Sequence, residues 1–208
     1  MLVTLEGIDG CGKSTQAELL HDRLKMHSVH FVPVREPGGT ELGEDVRKVL
    51  LHKQYSISLQ AELLLYMAAR TELTKTVILP ALKNGKIVIC DRFTDSTLAY
   101  QGYGGGTNLS LVRFLNYQAI FGLRPHLTLL LDLSVKEAEK RRIRTADRME
   151  SKDYYYHKRV RDGYLEIARQ DPQRVKIIDA TMPADLQAAE IWSYIYALIT
   201  EDKGRGYC

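Results

Sequence analysis

Cysteine is scarce in this 208-residue chain: Cys11, Cys90 and Cys208 stand far apart, and no two have CxxC spacing. Neither a disulfide framework nor a cysteine-based zinc site follows from them. Cys90 lies inside an apolar run and reads as an inert core thiol. An excess of one charge is also missing. Lys and Arg total 29, Asp and Glu 26, a net charge of +3. That is too little to argue for nucleic-acid binding, which wants a concentrated basic face. No apolar run reaches the roughly 20 residues that span a bilayer. The first residues lack the basic stretch and long apolar run of a secretory leader. The expectation is therefore a cytoplasmic protein with neither a membrane nor a nucleic-acid partner. Repeats, low-complexity segments and obvious linkers are absent too, so residues 1–208 read as one domain.

What is present alternates. LVTLE (Leu2–Glu6), VHFVPV (Val29–Val34), IVICD (Ile87–Asp91), LTLLLD (Leu127–Asp132) and VKIID (Val175–Asp179) are short, β-branched-rich apolar runs. Such runs suit strands of a parallel sheet buried on both faces. Helical patterns lie between them: Lys13–Met26; Ser58–Lys83, with Pro80 expected to kink its end; and Ala184–Ile199, with Leu186, Ala189, Trp192, Tyr196 and Ile199 as an apolar stripe. The alternation predicts an α/β fold.

Gly7, Gly12, Lys13 and Ser14 complete a G-x-x-x-x-G-K-[ST] pattern, with a strand before it and a helical pattern after it. Glycines let the backbone curl so that its N–H groups converge on phosphate oxygens. The helix that follows adds unpaired N–H groups and the positive end of its dipole. Lys13 can reach the outer phosphates and Ser14 can ligate Mg²⁺. Gly7, Ile8, Asp9, Gly10, Cys11, Gly12, Lys13, Ser14 and Thr15 are thus the expected ATP-binding loop. A guanine-reading N-K-x-D segment is absent, which argues against a signalling GTPase. A small kinase needs a second site for its acceptor. Asp91 closes a strand where the crevice of an open α/β sheet lies, so its carboxylate can hold Mg²⁺ through water. Arg92 beside it suits bidentate contact with an acceptor phosphate. On residue type alone the same pair could be a structural salt bridge.

Six pieces, EGIDGCGKST, REPGGT (Arg35–Thr40), AELLLYMAAR (Ala61–Arg70), DRFTDSTLAYQG (Asp91–Gly102), RRIRTADRME (Arg141–Glu150) and IDAT (Ile178–Thr181), occur in one order across almost the whole chain. In that set the chain resembles the thymidylate kinases, in particular the bacterial type with a basic lid. The resemblance implies transfer of the γ-phosphate of ATP to dTMP. It implies a P-loop fold with a five-stranded parallel sheet flanked by helices, a mobile lid over about residues 141–152, Mg²⁺ and a homodimer.

Residue by residue, Asp9 resembles the carboxylate that meets the deoxyribose 3′-hydroxyl, and Tyr66 the ring that stacks on thymine. Bacterial relatives usually have Phe at the Tyr66 position. Arg70 resembles the arginine that bonds the thymine carbonyl, and its spacing puts it on the same helix face as Tyr66. By residue type alone, Tyr66 could equally be a core ring and Arg70 a surface charge. Ser96 and Thr97 resemble readers of the far edge of the base, Tyr100 the wall beneath the sugar, and Gln101 a helper nearby. Glu36 and Pro37 fall in the acceptor loop, and Arg47 resembles an arginine packed over the pyrimidine.

Position 10 is glycine, so the P-loop arginine of the other thymidylate kinase type is absent. The bacterial type draws that charge from the lid, where it stabilises the moving phosphoryl group. Arg144 and Arg148 are the first candidates, with Arg141, also expected near ATP, and Arg142 beside them. Ala180 and Thr181 resemble the loop that lines adenine. Two alternatives stay open on the sequence: another pyrimidine nucleoside monophosphate kinase, and a P-loop nucleotide switch without a small acceptor.

Overall fold

All five apolar runs become strands, and they pair in parallel in one sheet of order β2-β3-β1-β4-β5. The computed structural model describes residues 1–141 and 146–204. Along the chain run β1 (Leu2–Glu6), α1 (Lys13–Met26), β2 (Phe31–Arg35), α2 (Glu41–Leu51), α3 (Leu59–Leu73), α4 (Leu79–Lys83) and β3 (Ile87–Asp91). Then follow α5 (Thr94–Thr97), α6 (Leu109–Ala119), β4 (Leu127–Asp132), α7 (Val135–Arg141), α8 (Tyr154–Gln170), β5 (Val175–Asp179) and α9 (Ala184–Gly204).

The central strands explain the unbroken apolar runs. Every residue of β1 is buried, as are the first four of β3 and the first five of β4. The outer strands, β2 and β5, are only partly buried. Pro33, which has no N–H for a ladder, sits in β2, an edge strand paired only with β3. The strand order reverses at β1, so the crevice for ligands lies beyond the carboxyl ends of β1 and its neighbours.

Three expectations shift. The second strand starts at Phe31, not Val29. The Ser28 and Val29 N–H groups close the end of α1 on the carbonyls of Lys25 and Leu24, so Val29 is spent as a cap. The long helix from Ser58 is interrupted. Ser58 caps α3 through Ala61 N, a π-helical turn covers Thr74–Ile78, and only then does α4 begin. Pro80 has no N–H to give to the carbonyl four residues earlier and its ring crowds that turn; the wider turn relieves it. In α9 the buried side is Gln187, Ile191, Trp192 and Ile195, whereas Leu186 and Tyr196 are exposed. Trp192 stacks on His27 at the end of α1, on the face that also buries Ile191 and Ile195.

Candidate active site

The phosphate-binding loop leaves β1 and enters α1, and its shape depends on glycine. Gly7, Gly10 and Gly12 all have positive φ. A side chain at Gly7 would strike the Leu131 carbonyl of β4, and one at Gly10 the Ala138 carbonyl of α7. The loop is therefore wedged between sheet and helix, and position 10 has no room for an arginine. Gly12 caps α1 without a side-chain bond, and the first turn of that helix has no acidic residue. Its N–H groups face outward for an anion.

Lys13 crosses the loop, donating to the carbonyls of Gly7 and Ile8 at 2.9 and 3.0 Å. Gly10, Cys11, Gly12, Lys13, Ser14 and Thr15 line one cavity, with Asp91 and Arg141. Ile8 is buried, and the Gly7 carbonyl accepts from Lys13 and Arg92, so these two shape the loop from behind. One oxygen of Asp91 is buried without a hydrogen-bond partner, as a carboxylate set aside for a cation or its water would be.

A second cavity opens beside the first. It is lined by Asp9, Glu36, Pro37, Arg47, Tyr66, Arg70, Arg92, Ser96, Thr97, Tyr100 and Gln101, the whole set expected for the acceptor. Leu51, Asp147 and Met149 complete its wall; the last two lie in the basic stretch read as a lid, and no acceptor role was expected of them. Asp9, Glu36, Arg47 and Arg92 line both cavities and mark where they meet.

Arg92 and Asp9 form the centre of that junction. Arg92 has φ +69, rare for a residue with a side chain. Its Nη2 donates to Asp9 Oδ1 at 2.6 Å, and Nη1 to the Gly7 carbonyl at 3.0 Å. Nη1 also reaches the Ser96 and Tyr164 hydroxyls at 3.3 and 3.4 Å. Among the described residues nothing accepts from Nε or from the second Nη2 proton, so the guanidinium keeps donors for a further anion. Burial would raise the Asp9 carboxyl, but Arg92 and Lys13 override it and hold the group well below the usual carboxylate range.

Several of the expected residues spend polar groups on protein. Arg70 is buried and donates to Glu36, Thr97 Oγ1, Asn116 Oδ1 and the Phe93 carbonyl, with two bonds going to Glu36 Oε2. That uses all five guanidinium protons, so the expected bond to a thymine carbonyl has no free donor here. Glu36 keeps Oε1 buried and unpartnered, and burial raises its carboxyl despite Arg70. Ser96 turns its hydroxyl to Glu6 at 2.6 Å and to Tyr164 at 2.7 Å. Glu6, which sequence reasoning passed over, is fully buried at the end of β1. Burial and the nearby Asp95 raise its carboxyl from 4.5 to about 7, against hydrogen bonds that favour its charge.

The lid expectations divide. Arg142 and Arg144 lie outside the described residues. Arg141 lines the phosphate cavity and donates to the Ala180 carbonyl at 2.9 Å. Arg148 does not line either cavity. It pairs with Glu62 of α3 at 2.6 Å and donates through Nε to the Leu50 carbonyl, which fixes it as an anchor for its segment. Ala180 corrects a second expectation: it is buried, its carbonyl is taken by Arg141, and Met182, Ala184 and Gln187 line the cavity instead.

Residues 5–191 match the family model described as thymidylate kinase. The chain belongs to the thymidylate kinase family. It is 48% identical over 187 residues to the thymidylate kinase of Kosmotoga olearia, covering 89% of this chain and 90% of that one. It is 50% identical over 195 residues to that of a Synechococcus species, covering 94% and 95%. The crystal structure of thymidylate kinase from Ehrlichia chaffeensis is similar with a TM-score of 0.77 at 38% identity, covering 94% of this chain and 98% of that one. The chain is thus an ATP-binding dTMP kinase, phosphorylating dTMP to dTDP. Both alternatives left open by the sequence fall with that membership.

Proposed function

We propose that dTMP lies in the cavity walled by Tyr66 and Tyr100, with its phosphate on the free donors of Arg92, and that ATP lies along the loop from Gly7 to Thr15. The observation that carries this reading is the shared border: Asp9 and Arg92 line both cavities, so donor and acceptor phosphates meet across them. Arg92 then holds the acceptor phosphate and shields it from the donor's negative charge. Asp9, kept ionised, accepts from the sugar hydroxyl. Thr97, Gln101 and the unpartnered Glu36 Oε1 offer polar edges to the base, while Pro37 and Arg47 close the pocket.

Ser14 and the free oxygen of Asp91 fit Mg²⁺ carried in by nucleotide phosphates. Such a cation keeps waters and phosphate oxygens among its ligands. Bound there, Mg²⁺ would neutralise charge on the phosphates. Lys13 contacts the outer phosphates, and Arg141 reaches the donor from the lid hinge.

No helix of the described residues is long and apolar enough to cross a membrane. The enzyme is proposed to act in the cytoplasm as one domain and as a homodimer. Leu64 of α3 and Leu111 and Phe114 of α6 are exposed on two helices that pack together, an apolar face suited to a second copy. Light scattering on Phe114→Glu should then report a monomer where the parent is a dimer.

A coupled assay for ADP with dTMP, dUMP, CMP, UMP and AMP as acceptors tests the substrate reading. The expected result is turnover strongest with dTMP. Equal rates with CMP or AMP would reject it.

A further inference from the structure

Glu6 lines neither cavity, yet its hydrogen bonds run to the turn that follows Arg92 and to Tyr164, and two of its partners also contact Arg92. Its Oε1 accepts from the Phe93 N–H at 2.7 Å and the Ser96 N–H at 3.3 Å. Its Oε2 accepts from the Ser96 hydroxyl at 2.6 Å and the Tyr164 hydroxyl at 3.0 Å. These donors come from the turn that follows Arg92 and from α8, so one carboxylate at the end of β1 ties three elements together.

Each hydroxyl has one proton and two lone pairs. With Glu6 ionised, the Ser96 proton turns to it and the Tyr164 proton is shared between Glu6 and Ser96 Oγ, 2.7 Å away, which leaves lone pairs on both hydroxyls for Arg92 Nη1, 3.3 and 3.4 Å away. Once Glu6 is ionised, above about pH 7, the polarity of the chain runs one way: guanidinium to hydroxyl, hydroxyl to carboxylate. We propose that Glu6 is a positioning residue of the phosphoryl-transfer site, aiming Arg92 at the acceptor phosphate through Ser96 and Tyr164. The inference rests on the proposed placement of the acceptor phosphate at Arg92.

A glutamine at position 6 has the same shape and the wrong polarity. Its NH₂ must face either two backbone N–H groups or two hydroxyls. In the second case the hydroxyls accept from the amide and lose the orientation that serves Arg92. Tyr164→Phe removes one hydroxyl and leaves the ring packed in the core.

The test is steady-state kinetics at pH 8, where Glu6 is ionised, on Glu6→Gln, Tyr164→Phe, the double variant and Arg92→Ala, each with dTMP and ATP varied separately and folding checked by thermal melt. Each of the first two should lower kcat/KM for dTMP about tenfold, the scale of one hydrogen bond to a charged group. The KM for ATP should change less than twofold. The double variant should fall by much less than the product of the singles, because both act on one chain of contacts. If Glu6→Gln fails to fold, Tyr164→Phe carries the same split between dTMP and ATP. A folded Glu6→Gln with normal dTMP kinetics, equal losses for both substrates, or fully multiplicative losses would overturn the inference. Arg92→Ala separates the two readings: if it spares dTMP, the acceptor assignment itself fails; if it impairs dTMP while Glu6→Gln does not, only the positioning role fails.

Discussion

The Tyr100 hydroxyl donates to Asp9 Oδ2 at 2.8 Å while Arg92 holds Oδ1, and the Arg92 guanidinium lies 5.1 Å from the centre of the Tyr100 ring. Tyr100 therefore has two separable parts. Its ring packs beside the guanidinium, and its hydroxyl fixes the carboxylate proposed to meet the sugar.

Substitutions at Tyr100 should separate those parts. Tyr100→Phe keeps the ring and removes one donor to an ionised carboxylate, worth about 1.5–3 kcal/mol, so kcat with dTMP should fall roughly ten- to a hundredfold. The preference for dTMP over its ribonucleotide counterpart should survive. Tyr100→Ala should narrow that preference, chiefly by improving the ribonucleotide, since an apolar pocket alone rejects an added hydroxyl by only about a hundredfold. Comparing kcat/KM for both acceptors checks this. An unchanged ratio in the alanine variant removes Tyr100 from the sugar site.

Lys13→Ala should lose about a hundred- to a thousandfold in kcat, the usual effect of deleting one group that stabilises developing charge. Among the described residues the native bonds of Lys13 run to Gly7, Ile8 and Cys11, all within its own loop, so the melting temperature should shift little. Near-normal turnover in this variant would reject the phosphate role of the loop.

Arg70 and Glu36 predict a stability effect larger than any kinetic one. Both are buried, and among the described residues Glu36 Oε2 has no donor besides Arg70. Arg70→Met strands that carboxyl and should destabilise the fold by about 3–5 kcal/mol. Arg70→Met with Glu36→Leu should recover much of the loss, because the stranded group is then gone. Chemical denaturation of the three proteins decides it. Equal stability of Arg70→Met and the parent would mean that Glu36 finds another partner or simply takes up a proton.

What could be read from the sequence was whatever local order dictates. The phosphate loop is a contiguous motif, and the five strands are contiguous apolar runs, so both were visible. The acceptor residues were visible only as a resemblance; spacing alone would leave Tyr66 a core ring. Glu6 stood in plain view, but its partners Ser96 and Tyr164 lie 90 and 158 residues away, and no periodicity links them. Arg148 shows the converse. Its place in a basic stretch suggested a phosphate, whereas the fold brings Glu62 to it from 86 residues away. Asp147 and Met149 enter the acceptor wall because Asp147 Oδ1 bonds the N–H groups of Met149 and Glu150 and curls the chain there. In α9 the stripe read from the sequence was not the buried face, since Leu186 and Tyr196 are exposed: a helix with apolar residues on several sides does not declare which side its neighbour takes.

The last prediction concerns the expense of keeping Glu6 inside. In the folded protein its carboxyl holds a proton up to about pH 7, against an ordinary value of 4.5. Between those values the folded state binds more protons than the unfolded one, so stability falls as pH rises. The contribution is full below about pH 4.5 and is lost as pH rises through 7, about 3 kcal/mol in all. Glu6→Gln has no proton to lose at that site. Its unfolding free energy should therefore decline less than the parent's between pH 5 and pH 8, whatever its absolute stability at either end. Denaturant titrations of both proteins across that range measure the difference in slope, in which the other titrating groups largely cancel. Parallel curves would show that Glu6 ionises at its ordinary value, and that its four donors fully offset burial.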